Sequence, residues 1–211
     1  MNLTLHRVTD PQSPEFDALI DLYLAAHPAS ERKPVELLAA MVLRPSYLFL
    51  TANLGQSVAG FSVVCSFPES DVSYLEYMAV AEQLRGQKIG SFLFQQITEC
   101  REVSGRSLLV EVDSDKRPSP LQAYNTRRKL FYRNLGCREV AGLDYLMPPV
   151  TEETPPPMDI MAFKKSLPDH IAKAQLREWL QAIYVNIYST PANDSRMDQM
   201  LERLPQVIDW M

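Results

Sequence analysis

Residues 74–90 constrain the fold of this chain more than any other segment. An apolar run ends at Val80, a polar connection follows, and Arg85-Gly-Gln-Lys-Ile-Gly90 then opens an amphipathic stretch. The order is that of a strand, a glycine-containing turn and a helix start. Backbone amides at a helix N-terminus bind anions, and glycine lets the main chain approach a ligand closely. The segment therefore predicts a site for a phosphorylated cofactor.

The composition is that of a soluble globular protein. The chain has 211 residues, of which 46% are hydrophobic and 22% are charged, and this length suits one domain or one domain with an extension. The formal net charge of −5 argues against a broad surface for nucleic acid or anionic membranes, because either would be basic. Mild acidity agrees with a cationic substrate, although it also simply favours solubility.

The three cysteines, Cys65, Cys100 and Cys137, lie in apolar contexts and lack the CxxC spacing of zinc sites. We interpret them as buried small hydrophobic residues. The three histidines are scattered along the chain, so no metal site is expected. The N-terminus does not look like a signal peptide, and no stretch reaches the roughly 18 apolar residues of a membrane helix. These features predict a cytoplasmic protein without a metal.

Hydrophobic periodicity predicts strands and helices in alternation. The predicted strands cover residues 3–8, 47–54, 58–67, 73–80, 108–113, 137–146 and 158–163. The predicted helices cover residues 14–27, 34–44, 89–100, 121–135, 166–188 and 194–204, and Ser13 and Pro14 suit the start of the first. Because a helix connects the strands at 73–80 and 108–113, these two strands are expected to be parallel.

This order predicts an α/β (α+β) fold with a mixed, mostly antiparallel central sheet, one parallel pair, and helices on both faces. Residues 148–157, rich in Pro, Thr and Glu, are the best candidate for a linker. We predict a catalytic domain at residues 1–164 and a C-terminal helical extension at residues 165–211. The extension is expected to pack on or against that domain and to contribute to a possible homodimer contact.

The chain resembles the GCN5-related N-acetyltransferases (GNAT), which transfer an acyl group from acyl-CoA to an amine. The family's signature after the fourth strand is Arg/Gln-x-x-Gly-x-Gly/Ala. Here it stands as Arg85-Gly-Gln-Lys-Ile-Gly90, with Lys88 in place of the first glycine. A later helix supplies a second match through Asn125, Tyr132 and Gly136. The resemblance covers about residues 3–164.

The resemblance implies acetyl-CoA, or another acyl-CoA, as co-substrate. Its diphosphate would lie against the segment formed by Arg85, Gly86, Gln87, Lys88, Ile89, Gly90 and Ser91, with Asn125 also contributing. Its pantetheine chain would pair with the backbone of Met78 and Val80, where the parallel strands splay. Two readings of Lys88 stay open. Either the turn tolerates a side chain whose ammonium adds positive charge, or phosphate binding is weakened.

Strand alternation places Glu76, Met78 and Val80 on one face, so Glu76 is expected on the cofactor side if Val80 is. A lysine-like ammonium must lose a proton before it attacks, at a cost of about 4–5 kcal/mol at pH 7. Glu76 is the predicted general base, and Glu111 on the neighbouring strand could share or replace that role. Tyr132 is the predicted general acid, returning a proton to the CoA thiolate.

Two further expectations concern the groups around this chemistry. A backbone N–H near Met78, exposed by a bulge in the strand, would polarise the thioester carbonyl. The basic run Arg127-Arg128-Lys129 is interpreted as a solvated helix face rather than a contact to the 3′-phosphate of CoA. In this fold the first two helices, roughly residues 14–44, usually help to shape the acceptor pocket.

The predicted function is therefore transfer of an acetyl group from acetyl-CoA to a primary amine by direct attack, since no cysteine lies in a nucleophile motif. The first acceptor class is a small amine metabolite, and the second is a protein lysine or N-terminus. A rival from another class is a non-catalytic acyl-CoA-binding sensor or interaction module that acts through the C-terminal helices. No nucleic-acid or membrane partner is expected.

Overall fold

The computed structural model describes residues 2–150 and 154–211. The strands are β1 Leu3–Val8, β2 Tyr47–Leu54, β3 Ser57–Phe67, β4 Val72–Val80, β5 Ser107–Asp113, β6 Arg138–Glu139, β7 Met158–Phe163, β8 His170–Ala172 and β9 Val207–Asp209. The helices are α1 Pro14–Ala26, α2 Val35–Val42, α3 Ile89–Glu99, α4 Gln122–Asn134, α5 Lys173–Asn186 and α6 Ser195–Leu201. None of the described helices is long and apolar enough to cross a membrane.

The sheet confirms the predicted fold class. Its seven strands follow the order β1-β2-β3-β4-β5-β7-β6, and they are mostly antiparallel with one parallel pair. Contacts along the chain group the residues into two compact units. The first comprises the residues up to 66 and residues 73–104, and the second comprises residues 67–72 and 105–211. The predicted division between residues 164 and 165 stays a prediction.

In the first unit, helices cover both faces of the sheet. Thr51 of β2 donates a hydrogen bond to Glu15 of α1 on one face. Its neighbour Ala52 packs in a cluster with Ile89 and Leu93 of α3 on the other face. Adjacent strand residues point to opposite faces, so α1 and α3 lie on opposite sides of β2.

Helix α1 begins where the sequence predicts. The Ser13 hydroxyl accepts a hydrogen bond from the Phe16 amide at 3.2 Å, and Pro14 occupies the first turn, where its missing N–H costs nothing. The buried residues of this helix recur at helical spacing and are Phe16, Leu19, Ile20 and Tyr23. This stripe fixes the helix on the sheet, and it places Tyr23 near the strand that carries Glu76.

Gly60 of β3 lies at a close contact between this sheet and α3. A Cβ atom added at Gly60 would lie 2.9 Å from the Ala79 carbonyl oxygen, 3.0 Å from Leu93 and 3.2 Å from Ile89. A glycine is therefore needed here for contact rather than for an unusual backbone angle. It allows α3, which begins at the predicted anion-binding turn, to seat closely against β3 and β4.

In the second unit, β5 and β6 both pair antiparallel with β7. Helix α4 ends at Asn134 and is stopped by Gly136, whose φ of 92° lies in the left-handed region. The Cys137 amide donates to the Tyr132 carbonyl at 3.0 Å, and the Gly136 amide donates to the Arg133 carbonyl at 2.9 Å. These two bonds form a Schellman motif, which stops the helix and fixes the last turn that carries Tyr132.

The structure corrects the sequence prediction in the C-terminal region. The strand expected at residues 137–146 is wrong beyond Glu139, and the helix expected from residue 166 begins at Lys173. Residues 170–172 instead form β8, which pairs with β9. Met211 also exchanges backbone hydrogen bonds of 2.9 and 2.8 Å with Glu139. Such pairings join residues far apart in sequence, so local periodicity does not reveal them. The predicted linker at 148–157 lies partly outside the described residues.

Candidate active site

The turn before α3 presents a row of backbone amides. Gly86 has a φ of 80° and Lys88, the N-cap of α3, has a φ of 64°. The Phe92 amide donates to the Lys88 carbonyl at 2.9 Å and closes the first helical turn. Among the described residues, no protein group accepts a hydrogen bond from the amides of residues 86–91. Unpaired amides at a helix N-terminus attract anions, so this segment can hold a phosphate group.

Lys88 occupies a backbone conformation that normally favours glycine. A left-handed conformation costs an L-residue about 1–2 kcal/mol relative to the right-handed helical region. The turn nevertheless accommodates the Lys88 side chain, which is exposed together with Arg85, Gly86 and Gln87. The family's glycine at this position is thus explained by the backbone angle, and lysine here adds an ammonium at the price of local strain.

Met78 and Val80, at the end of β4, pack against the cluster that includes Ile89 and Leu93 of α3. Glu76 does not share this face. Its carboxylate forms an ion pair with Lys33, which lies between α1 and α2. The predicted alternation that placed Glu76 with Met78 and Val80 is therefore wrong.

The reason lies in two consecutive residues of β4. Glu76 and Tyr77 both contact the segment between α1 and α2, Glu76 through Lys33 and Tyr77 through the Glu31 carbonyl, to which its hydroxyl donates at 3.2 Å. Regular strands send neighbouring side chains to opposite faces, and a β-bulge is the usual way to break that rule. The side-chain contacts thus agree with an irregularity just before Met78.

The Glu76 carboxylate is almost completely buried. Its side chain is 3% exposed, and its Oε1 lies 2.5 Å from Lys33 Nζ, whose side chain is 14% exposed. Among the described residues, neither oxygen accepts a hydrogen bond of ordinary geometry. Burial raises the pKa of Glu76, and the Lys33 ammonium and the Tyr47 hydroxyl only partly offset this effect. The result is a carboxylate with increased proton affinity beside a primary amine.

The backbone around Lys33 is held by two tyrosines. The Tyr23 hydroxyl donates to the Lys33 carbonyl at 3.2 Å, and the Tyr77 hydroxyl donates to the Glu31 carbonyl. The rings of Tyr23 and Tyr77 meet edge to face with centroids 4.9 Å apart. His27 packs against both rings, and its Nδ1 lies 3.1 Å from the Tyr23 carbonyl oxygen. This aromatic group therefore positions the lysine that reaches Glu76.

The sequence alone did not mark Lys33, Tyr23, Tyr47 or Tyr77 as residues of the site. The available signal was indirect, because the α1–α2 segment was expected to shape the acceptor pocket without any residue being singled out. The cysteine closest to this site is Cys65, which pairs with Tyr47 across β2 and β3. Burial raises the pKa of its thiol to about 11, so it stays protonated at neutral pH and is a poor nucleophile.

In the second unit, Tyr132 lies in the last turn of α4 and is 3% exposed. Burial raises its pKa, and the neighbouring Arg128 guanidinium only partly offsets the rise. The phenol therefore keeps its proton at neutral pH, as a proton donor must. Asn125 is also buried, and its Nδ2 donates to the Ser114 carbonyl at 3.1 Å. That bond uses the amide donor to tie α4 to the end of β5.

Glu111 has a different environment from Glu76. Tyr145 and Tyr188 donate to its two carboxylate oxygens at 2.5 Å each. Tyr188 follows α5, so this carboxylate ties β5 to residues of the predicted extension. Both oxygens are already occupied, which favours a structural role for Glu111 over that of a base.

In the basic run of α4, Arg127 is exposed, as expected of a solvated face, but Lys129 is not. Lys129 is 2% exposed, and its Nζ lies 2.9 Å from Asp115, 2.8 Å from Glu139 and 2.9 Å from Asp159. Lys116 pairs with the last two of these carboxylates at 3.0 and 2.7 Å. Three acidic groups outweigh the burial penalty of the Lys129 ammonium and raise its pKa. Its long apolar stem is buried, and its charge is neutralised inside the fold.

The structure thus brings some of the predicted residues into contact and leaves others in separate units. Met78 and Val80 pack with Ile89 in the first unit, which also contains Glu76 and the turn at residues 85–91. Asn125 and Tyr132 both belong to α4 in the second unit.

Comparisons with known proteins identify the family and the fold. The family model described as Acetyltransferase (GNAT) family matches residues 16–136, which is more than half of the chain. No curated protein matches the sequence.

Solved structures share the fold. A protein of Bacteroides thetaiotaomicron assigned to the GNAT family has a TM-score of 0.72 at 19% identity, over 89% of this chain and 99% of that chain. The ribosomal-protein-S18-alanine N-acetyltransferase of Escherichia coli has a TM-score of 0.58 at 20% identity, covering 79% and 96%. Arabidopsis thaliana NAA60, solved in complex with acetyl-CoA, has a TM-score of 0.56 at 13% identity, covering 77% and 98%.

Proposed function

The chain belongs to the GNAT acetyltransferase family, and on that premise we propose that it transfers an acetyl group from acetyl-CoA to a primary amine by direct attack. The observation that carries the proposal is the Glu76 carboxylate, buried and 2.5 Å from the primary amine of Lys33. A carboxylate that pairs with one amine nitrogen has the charge to pair with another. Burial raises the pKa of Glu76, which suits a group that must accept a proton.

The proposed cofactor site uses residues that suit a diphosphate. The amides of residues 86–91 supply donors, and Arg85 and Lys88 add positive charge. The backbone of Met78 and Val80 is the proposed partner of the pantetheine amides. Asn125 is proposed as a further contact through its side-chain carbonyl, since its amide nitrogen already donates to Ser114. When bound, acetyl-CoA supplies the acyl group as an activated thioester.

Each protein group then has a proposed task. Glu76 accepts the proton of the acceptor ammonium, directly or through water, so that the neutral amine can attack. A backbone N–H near Met78, next to the irregularity in β4, donates to the thioester oxygen as negative charge develops there. Tyr132 donates a proton to the departing thiolate. The protonated Cys65 thiol takes no covalent part.

The proposed acceptor is a small amine metabolite, and a protein lysine or N-terminus is the second class. By its name, the Escherichia coli neighbour acts on an alanine of a ribosomal protein, so protein amines belong in any acceptor screen. The screen should contain polyamines, amino acids, aromatic amines and peptides with free N-termini or lysines. Release of free CoA thiol would be the readout for every compound.

Calorimetry with CoA provides the first test, and thiol release from acetyl-CoA with the amine panel provides the second. Tight CoA binding with turnover of at least one amine, lost in Tyr132→Phe, is the expected result. Phe131→Leu, on the neighbouring position of α4, is the control for packing. Absence of CoA binding would contradict the proposal, and binding without turnover of any amine would favour the sensor.

Lys88 provides a matched test of the cofactor turn. Lys88→Gly and Lys88→Gln both remove the ammonium, but only glycine relieves the left-handed backbone strain. Glycine is expected to stabilise the fold by about 1 kcal/mol relative to lysine. Both variants should bind CoA more weakly and with a shallower salt dependence, as calorimetry at two ionic strengths would measure. Unchanged affinity in both would remove Lys88 from the proposed site.

A further inference from the structure

We propose that the chain acetylates its own Lys33, so that the Lys33 amine is an internal acceptor that competes with external amines. This inference rests on the function proposed above, because it uses the same base and the same acetyl donor. It goes further by assigning a covalent modification site in the segment between α1 and α2.

The geometry of the pair is that of an amine placed at a base. Lys33 Nζ and Glu76 Oε1 form an ion pair at 2.5 Å, so the amine is already in contact with the proposed base. If Glu76 is the base for an external amine, that amine must bring its nitrogen to the same carboxylate. Lys33 therefore already occupies the position that an acceptor needs.

The backbone around Lys33 is held firmly enough to keep the amine there. Tyr23 and Tyr77 donate to the carbonyls of Lys33 and Glu31, both at 3.2 Å. Pro34 follows directly and serves as the N-cap residue of α2. A nucleophile held in place has a high effective concentration, which favours the intramolecular reaction over reaction with a dilute external amine.

The reaction balances with groups already named. The Lys33 ammonium passes one proton to Glu76, and the nitrogen lone pair attacks the thioester carbonyl of acetyl-CoA. The new C–N bond forms, the C–S bond breaks, and the thiolate takes up the second proton that the nitrogen loses, while Glu76 releases the first proton to solvent. The products are Nε-acetyl-Lys33 and free CoA. The acetylated side chain is neutral and cannot form an ion pair with Glu76. Its acetyl group also occupies space beside the base. We therefore expect the modified chain to turn over external amines more slowly.

Other lysines provide internal controls. Lys129 is even more buried, but its Nζ contacts three carboxylates that hold it as an ammonium. Lys164 is partly exposed and pairs with Asp71 at 3.3 Å. Chemical acetylation without catalysis would favour exposed lysines such as Lys88 over Lys33.

The test incubates the purified full chain with acetyl-CoA and no added amine, followed by intact-mass measurement and peptide mapping. The expected product carries one acetyl group, on Lys33, and forms at a first-order rate that does not depend on protein concentration. Lys33→Arg should abolish this product because arginine keeps the charge but is a poor acceptor. Glu76→Gln should slow it by about 10²-fold or more. Lys164→Arg is the matched control and should leave the rate unchanged.

The outcomes separate this inference from the function on which it rests. Turnover of external amines with Lys33 unmodified overturns the inference and leaves the proposed function standing. A rate that rises with protein concentration, or acetyl groups spread evenly over exposed lysines, also overturns it. Failure to bind CoA or to release thiol with any amine of the panel would instead remove the proposed function.

Discussion

Each compact unit contains a largely buried lysine beside at least one buried carboxylate, but the two arrangements differ in how fully the acids are paired. In the second unit, Lys129 contacts three carboxylates, and two of these also pair with Lys116. In the first unit, Lys33 reaches Glu76, whose oxygens accept no hydrogen bond of ordinary geometry from any described residue. The two sites share residue types, and they differ in the number of ion pairs: Glu76 pairs with one lysine, whereas Glu139 and Asp159 each pair with two.

The direction of the pKa shift follows that difference. Burial alone would raise the pKa of Asp159, but hydrogen bonds from Lys116 and Lys129 outweigh it and lower the value. For Glu76, burial is the stronger influence and the pKa rises. A satisfied buried acid contributes to the fold, whereas an incompletely satisfied one keeps proton affinity for chemistry. This contrast supports assigning catalysis to Glu76 and a structural task to the Lys129 cluster.

The largest expected effect is on the reaction rate. Glu76→Gln keeps the size of the side chain and removes its ability to take a proton, so turnover should fall by about 10²–10⁴-fold. Thiol release would measure the loss, with CoA calorimetry to show that cofactor binding persists. Glu82→Gln, at an exposed position of the connection between β4 and α3, is the control. Full activity in Glu76→Gln would break the comparison and return attention to Glu111.

The next effect is on stability and falls on the other site. Lys129→Met would leave Asp115, Glu139 and Asp159 without their shared ammonium, and loss of one partner from a buried ionic group costs about 3–5 kcal/mol. Urea unfolding followed by circular dichroism would measure the change. Arg133→Met is the control, because the Arg133 side chain is 42% exposed and its ion pair should contribute at most about 1 kcal/mol. Equal losses in both variants would contradict the structural role of Lys129.

A smaller effect is expected at Glu111. Tyr188→Phe removes one of the two hydroxyls that donate to this buried carboxylate, at a cost of about 1–3 kcal/mol. If Glu111 is structural, the rate of turnover should stay within about threefold of the parent rate. A rise of 1 kcal/mol in the activation free energy would lower that rate roughly fivefold. Tyr124→Phe, at an exposed position of α4, is the control for loss of a hydroxyl. A large fall in rate without loss of stability would make Glu111 a participant in the chemistry.

The smallest effect is a difference in pH dependence. The pKa of Asp159 is lowered in the folded state, so this carboxylate stabilises the fold at pH values above its unfolded pKa of about 3.9. That stabilisation is lost as the pH falls through the folded pKa. The raised pKa of Glu76 acts in the opposite sense. The contribution of Glu76 to the free energy of unfolding is present below its unfolded pKa of about 4.3 and is lost as the pH rises through its folded pKa.

Urea unfolding across the pH range would resolve these two signs. Lys129→Met should flatten the loss of stability in acid, and Glu76→Gln should remove the loss on the side of rising pH. If the free energy of unfolding varied with pH in the same way in both variants, the proposed difference between Asp159 and Glu76 would be wrong.

Local patterns predicted the elements as far as α4 because their periodicity lies within short windows. The turn at residues 85–91 was predictable for the same reason, since its glycine and its place after a strand are adjacent in sequence. The pair formed by Lys33 and Glu76 was not, because it depends on the path between two helices and on an irregularity in β4. Lys129 was predicted to be solvated because its neighbours in the sequence are also basic. Its carboxylate partners lie far from it in the sequence, both before and after it, so the local pattern does not reveal them. The short strands β8 and β9 escaped notice because three-residue patterns carry little information.

Gly60 shows how far the influence of a ligand site extends into a protein interior. Its missing side chain lets α3 lie against the sheet, and the first turn of α3 is continuous with the amides proposed to hold the diphosphate. A methyl group there would clash with the Ala79 carbonyl of β4 and would press on Leu93 and Ile89 of α3, and the damage would be recorded as weaker nucleotide affinity rather than as an altered contact. Natural selection on coenzyme recognition would therefore act on an interior position that no ligand ever touches.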